Sequence, residues 1–235
     1  MRLLPLLILL MLCTCGSTND DDMPTPIPPG AQEPAPTPLR YLALGDSYTI
    51  GEDVAEQDRW PNQLARELGN SDFPVGEVQF VATTGWTTDA LDNGMNNADL
   101  TPPYDLVSLL IGVNDQFRGF DVATYRPKLE NLVNRAIEQA GGDTSRVFIV
   151  SIPDYAFTPF GNGRESITNG VNAYNAVKAQ VANDYGLPYI NITPISRQGL
   201  DRPELVAQDG LHPSGEQYRL WVQEEIRRVV VTMLE

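Results

Sequence analysis

Arg40-Tyr41-Leu42-Ala43-Leu44-Gly45-Asp46-Ser47-Tyr48 decides the fold. Residues 41–44 are an unbroken apolar run that ends in Gly-Asp-Ser. This is the pattern of a strand buried on both faces that runs into a tight turn. A strand of that kind belongs to a parallel sheet, and the turn after it opens at the sheet's carboxyl edge. Open α/β sheets bind their ligands at this edge. Ser47 is thus placed where chemistry is expected.

The same punctuation repeats downstream. Residues 78–82, 106–111, 147–152 and 187–192 read as four further strands, the last weakened by Pro188. Between them, apolar residues recur at helical spacing. Trp60, Leu64, Ala65 and Leu68 make one stripe, closed by Gly69. Residues 87–95 predict a short helix. Tyr125, Leu129, Leu132, Val133 and Ala136 make a longer stripe, ended by Gly141-Gly142. Val171, Tyr174, Val177 and Val181 make another, ended by Gly186. A last helix is predicted from about residue 214 towards 232. Alternating strands and helices imply an α/β domain whose parallel sheet is covered on both faces. Right-handed crossovers favour the strand order 2-1-3-4-5, with the first and last helices on one face.

The N-terminal residues read differently. Residues 1–14 are a charged start and an apolar run too short to span a bilayer comfortably, the pattern of an export signal peptide. Leu12-Cys13-Thr14-Cys15 resembles the lipobox of bacterial lipoproteins. That resemblance implies lipidation of Cys15 and a place in the cell envelope, on the outer membrane or cell surface, since several acyl chains anchor stably where one does not. An ordinary cleaved leader, and hence secretion, is the alternative. Asp20-Asp21-Asp22 resembles a surface-export signal and equally reads as a solvated charge run. Prolines then recur from Pro24 to Pro38. Residues 15–38 are expected to be an acidic, Pro-rich tether rising roughly 3 Å per residue, with the folded domain over 39–235.

Composition excludes some functions. A formal charge of −15 argues against a nucleic-acid partner and against docking on anionic lipid through basic patches. The two cysteines, Cys13 and Cys15, both precede the domain, which leaves it without a disulfide. The chain has one histidine, His212, which argues against a zinc or di-metal centre.

That histidine follows an aspartate in Asp209-Gly210-Leu211-His212-Pro213, just before the last helix. Three other turns follow strands 1, 2 and 3, which are neighbours in the expected order. They are Gly45-Asp46-Ser47, Thr83-Thr84-Gly85-Trp86-Thr87 and Gly112-Val113-Asn114-Asp115. The chemistry assigns each a task. A serine hydroxyl needs a base to take its proton during attack. His212 is the side chain with an ordinary pKa near neutrality. Asp209 can hold one ring nitrogen and stabilise the imidazolium. The oxyanion that forms needs preorganised donors. The candidates are the Ser47 backbone N–H, the Gly85 backbone N–H and the Asn114 amide.

These blocks, in this order, resemble those of the SGNH (GDSL-type) esterases and lipases, and the resemblance spans the domain from about Leu39 onward. It implies a three-layer α/β/α sandwich on a flavodoxin-like five-stranded parallel sheet, ester hydrolysis and no cofactor. It places the nucleophile at Ser47, the base at His212 with Asp209 beside it, and oxyanion donors at Gly85 and Asn114. The substrates it implies are small-molecule, glycan or lipid esters, as for a lysophospholipase-like acylhydrolase or a carbohydrate O-acetyl esterase. Gly-x-Ser-x-Gly is absent around Ser47, so the α/β-hydrolase elbow is not the better match.

Taken singly, each piece has a plainer use. Ser47 serves as a helix cap, Asn114 and Asp115 as a turn, and His212-Pro213-Ser214 as a helix start. Asp46 reads as a structural tie of its turn, and Asp115 as a support. Core packing is the reading for Trp60, with Trp86 a candidate for lining a cleft. The aromatic loop 155–161 reads either as a substrate contact or as ordinary surface. The competing function is a surface-anchored binding lipoprotein on the same fold, without turnover.

Overall fold

The computed structural model describes residues 37–235. The expected leader, Cys15 and all but the last two residues of the expected tether lie outside them.

The strands are β1 (Leu39–Gly45), β2 (Val75–Ala82), β3 (Leu106–Leu110), β4 (Val147–Val150) and β5 (Tyr189–Ile190). Every ladder is parallel, and the order is β2-β1-β3-β4-β5. β1 is central on this edge, with Leu44 beside Val81 on one side and Leu109 on the other. Its side chains from Tyr41 to Leu44 are fully buried, as the unbroken apolar run requires of a strand with helices on both faces. Each large apolar side chain so buried stabilises the fold by about 1.5–3 kcal/mol. β2 is an edge strand and begins three residues earlier than its apolar run suggested. Its outer residues, Gly76 and Glu77, are exposed, so apolar pattern alone could not mark its start. β5 is shorter than expected. Pro188 has no N–H to give the ladder, although its carbonyl still accepts from Ile149 N–H (2.9 Å).

The helices are α1 (Ser47–Ile50), α2 (Trp60–Gly69), α3 (Thr88–Asn97), α4 (Val113–Phe117), α5 (Val122–Gln139), α6 (Glu165–Tyr185) and α7 (Thr193–Ser196). The C-terminal helix, 215–234, joins α8 (Gly215–Leu220) to α9 (Arg227–Leu234) through a π-helical stretch, Trp221–Ile226. α3, α5 and α6 pack side by side, while α2 packs on the C-terminal helix. The result is a three-layer α/β/α sandwich. Trp60, at the start of α2, is fully buried and meets Phe148 edge-on. It is a core residue.

The pairing of α2 with the C-terminal helix positions the site. Gln63 Nε2 on α2 donates to the Gly215 carbonyl (2.9 Å). The segment before Gly215 is clamped by a bridge between Val206 and Pro213. There, Ala207 N–H donates to the His212 carbonyl (2.8 Å) and Ser214 N–H to the Leu205 carbonyl (2.9 Å). Ser214 then caps the helix, accepting from Gln217 N–H (3.2 Å). His212 is therefore held on a braced loop directly over α1.

Candidate active site

Asp46, not Ser47, caps the turn after β1. Its Oδ1 accepts Tyr48 N–H at 3.0 Å, which makes it the N-cap of α1. A Cβ on Gly45 would collide with the Thr49 side chain and the Leu110 carbonyl, so the turn closes only with glycine there. Ser47 is left free of capping work. Its Oγ lies 3.0 Å from His212 Nε2. On the far side of the ring, Nδ1–H donates to Asp209 Oδ2 at 2.5 Å. An ionised carboxylate only accepts, so Nδ1 carries the proton and Nε2 is the free acceptor. Asp209 Oδ1 also accepts the N–H groups of Leu211 (2.8 Å) and His212 (2.9 Å). Partial burial pushes the Asp209 carboxyl up, but the hydrogen bonds from the His212 ring and the two backbone N–H groups outweigh it. The carboxyl sits below the ordinary range and stays ionised.

Gly85 and Asn114 line the same pocket as Ser47. Gly85 has φ of +80°, a conformation that favours glycine. Its carbonyl accepts from Arg118 Nη2 at 2.9 Å. Among the described residues, neither Ser47 N–H nor Gly85 N–H has a hydrogen-bond partner. Asn114 Nδ2 donates to the Trp86 carbonyl at 3.0 Å. An amide nitrogen carries two hydrogens, so a second N–H remains available. The strand-2 and strand-3 turns are bolted together by Asp115, whose two carboxylate oxygens accept from Thr88 N–H (3.0 Å) and Thr88 Oγ1 (2.7 Å). The Trp86 ring is not part of the pocket wall and lies against Gly94. Among the described residues, no three His, Cys, Asp or Glu side chains gather as metal ligands.

A family model for the GDSL-like lipase/acylhydrolase family matches residues 43–220. The chain belongs to that family. It is a GDSL-type hydrolase of the serine-esterase class. No curated protein matches it in sequence. Solved structures share its fold. A lipase/acylhydrolase from Enterococcus faecalis is 24% identical with a TM-score of 0.64, covering 83% of this chain and 95% of that one. An acetylxylan esterase from Geobacillus stearothermophilus is 19% identical with a TM-score of 0.62, covering 83% and 94%. A phospholipase A1 from Streptomyces albidoflavus NA297 is 20% identical with a TM-score of 0.62, covering 84% and 100%.

Beneath the site of this GDSL-type hydrolase lies a group of buried ionisable residues that the sequence reading did not single out in full. Lys178, on α6, is fully buried, and its Nζ donates to the Ile111 carbonyl at 3.0 Å. Tyr125 Oη donates to the same carbonyl at 3.1 Å. Burial pushes the Lys178 ammonium down to about 7, against the pull of the Asp46 and Asp115 charges. Burial pushes the Asp46 carboxyl up to about 7, with Tyr48 N–H and Lys178 acting the other way. Asp46 Oδ2 has no hydrogen-bond partner among the described residues.

Other residues at the site were also missed. Tyr48, Val113, Phe117 and Leu211 line the pocket. Tyr48, Val113 and Leu211 each adjoin a motif residue in sequence, and Phe117 lies a helical turn after Asn114, which was the available signal. Asp53 and Arg118 contact the site only through the folded chain, and their local sequence has nothing to mark them.

Proposed function

We propose that Ser47, His212 and Asp209 hydrolyse a carboxylic ester through an acyl-enzyme intermediate. The supporting observation is the hydrogen-bonded chain from Ser47 Oγ through the His212 ring to the Asp209 carboxylate. It joins residues at opposite ends of the domain, and a helix cap or a turn has no need of it.

Ser47 Oγ attacks the ester carbon as its proton passes to His212 Nε2. The charge on the carbonyl oxygen is met by Ser47 N–H, Gly85 N–H and the second N–H of Asn114 Nδ2. Asp209 stabilises the imidazolium. The C–O bond to the alcohol breaks, and the leaving oxygen takes the proton from His212. Water then repeats the sequence in reverse, giving its proton to His212 and releasing the acid from Ser47. His212 serves as base in each attack and as acid in each departure.

The acetylxylan esterase and phospholipase A1 among the structural neighbours support an ester of a glycan or a lipid as the kind of substrate. The leader and Cys15 support a lipid-anchored place in the cell envelope, with 15–38 as tether and 39–235 as catalytic domain. Mass spectrometry of membrane-extracted protein should find acyl chains on Cys15, and an unmodified N-terminus in the medium would replace anchoring with secretion.

The test of the chemistry is labelling by a p-nitrophenyl phosphonate, together with acetyl-ester hydrolysis. Wild type should release one p-nitrophenol per chain and carry the phosphonyl group on Ser47. Ser47→Ala should do neither and lose about 10³-fold or more of the turnover. A folded wild-type protein that stays unlabelled and inactive would return the chain to the binding-protein reading.

A further inference from the structure

Two aromatic rings stand in water at the mouth of the site. Phe117 is 57% exposed and Phe160 44% exposed. Their centroids are 6.1 Å apart, and each is just over 6 Å from the Tyr155 ring. Grouped exposed rings mark a surface that something covers. These are built on rigid supports. Phe117 ends α4, one turn after Asn114. Phe160 sits on the loop after β4, and its N–H donates to the Gly210 carbonyl (2.9 Å), inside the Asp209–His212 turn. That loop is pinned further. Tyr155 Oη donates to Gln116 Oε1 (2.8 Å). Arg164 Nη2 donates to the Phe160 carbonyl (3.0 Å). Buried Asp154 pairs with Arg197 (3.0 Å).

The rings continue a pocket of about 150 Å³ that starts at Ser47. Away from the reacting atoms its walls are Tyr48, Val113, Phe117, Tyr155 and Leu211. The Tyr155 hydroxyl is taken by Gln116. Thr84 and Tyr48 carry the other hydroxyls, and that of Thr84 donates to Glu52. A sugar ring needs several convergent hydrogen-bonding partners, and beyond the catalytic groups these walls offer little besides the Tyr48 hydroxyl. A saturated chain needs only apolar area and room. A 150 Å³ cavity holds a ligand of benzene's size, roughly six carbons.

We propose that the pocket and the Phe117, Tyr155 and Phe160 rings form the acyl subsite, and that it selects saturated acyl chains of about four to eight carbons. This rests on the Ser47 reading above. The pocket holds the first carbons and the exposed rings cover the next. Chains beyond that length run into solvent and gain nothing. The alcohol lies outside the apolar walls, so selection falls on the acid half of the ester.

The test is hydrolysis of p-nitrophenyl esters from acetyl to palmitoyl by the full-length protein. kcat/KM should rise about fourfold per methylene from acetyl, level off between butanoyl and octanoyl, and gain nothing further at palmitoyl. Phe117→Ala should cut the hexanoyl-to-acetyl ratio of kcat/KM at least about tenfold. Phe117→Leu should restore most of that ratio, and Phe160→Ala should lower the octanoyl-to-butanoyl ratio. A wild-type peak at acetyl, or a rise that continues to palmitoyl, would overturn the proposal. So would a Phe117→Ala ratio equal to that of wild type. Phosphonate labelling separates the two failures. A labelled Ser47 with the wrong chain-length profile removes the acyl subsite alone, whereas an unlabelled, inactive protein removes the Ser47 reading with it.

Discussion

The Asp53 carboxylate accepts the backbone N–H of Asp209 at 2.9 Å. The contact ties the loop just after α1, which carries Ser47, to the turn that carries His212. Asp53 holds φ of +60° to make it, a left-handed conformation that asparagine and aspartate tolerate better than other side chains. Asp53→Ala removes the acceptor and frees the Asp209 turn. Small misplacements of catalytic groups are costly, so kcat should fall about tenfold with KM little changed. Asp53→Asn keeps an acceptor oxygen and the backbone preference, and should recover most of the rate. Steady-state kinetics of the two variants, with circular dichroism to check folding, decide the matter. Equal losses in both would show that the carboxylate acts in some other way.

Asn114→Ala removes one of the proposed oxyanion donors and the bond to the Trp86 carbonyl. Because the charge exists only in the transition state, the loss should appear in kcat, about 10²- to 10³-fold, with the acetyl-ester KM within a few-fold of wild type. A loss confined to KM would make Asn114 a substrate-binding residue.

Asp46→Asn should change how stability depends on pH. Burial raises the Asp46 carboxyl from 3.8 to about 7 in the folded chain. Between those values the folded state holds a proton that the unfolded state has lost, so the contribution is full below 3.8 and fades as pH rises towards 7. Asparagine keeps the acceptor for Tyr48 N–H and does not titrate. Urea unfolding at pH 4.5 and 7.5 should show the wild type losing ground to Asp46→Asn as pH rises, by on the order of 1–3 kcal/mol. The reverse trend would mean that Asp46 is ionised throughout.

Lys178→Met should act on the other side of neutrality. Burial lowers the lysine from 10.5 to about 7. The unfolded chain binds the extra proton between these values, so wild-type stability gains from this residue as pH rises from 7 to 10.5. Methionine is of similar length and cannot titrate, so the variant lacks that rise. The Ile111 carbonyl keeps Tyr125 Oη as a partner, which limits the cost of losing Nζ. Unfolding at pH 7 and 10 should show the wild type gaining on the variant. Parallel curves would place the lysine proton outside the folding equilibrium.

Much of the architecture was legible because apolar patterning reports burial. β3 and residues 41–45 of β1 are fully enclosed, and their unbroken runs said so. The ends of β2 and β5 were not legible, since edge strands are half-solvated and β5 is shortened by the missing N–H of Pro188. Ser47, Gly85, Asn114, Asp209 and His212 could be nominated because their turns come in order at neighbouring strand ends, with the lone histidine in the last, although each piece alone has a plainer use. The capping role considered for Ser47 belongs to Asp46, one residue earlier. Lys178 was not singled out at all, because a lysine in sequence carries no sign of being buried.

The sequence by itself determined the α/β alternation, the strand order and the short set of residues able to do acyl chemistry. Periodicity and residue chemistry are local properties, and they can be read without a fold. Only the tertiary structure decided which groups meet. Ser47 and His212 are 165 residues apart and meet at 3.0 Å because α2 packs on the C-terminal helix. Asp53 reaches Asp209, Arg118 reaches Gly85, and Phe117 reaches Phe160 through chain segments that share no local pattern. Contacts of this kind depend on the summed packing of a whole core, and no stretch of sequence encodes that sum alone.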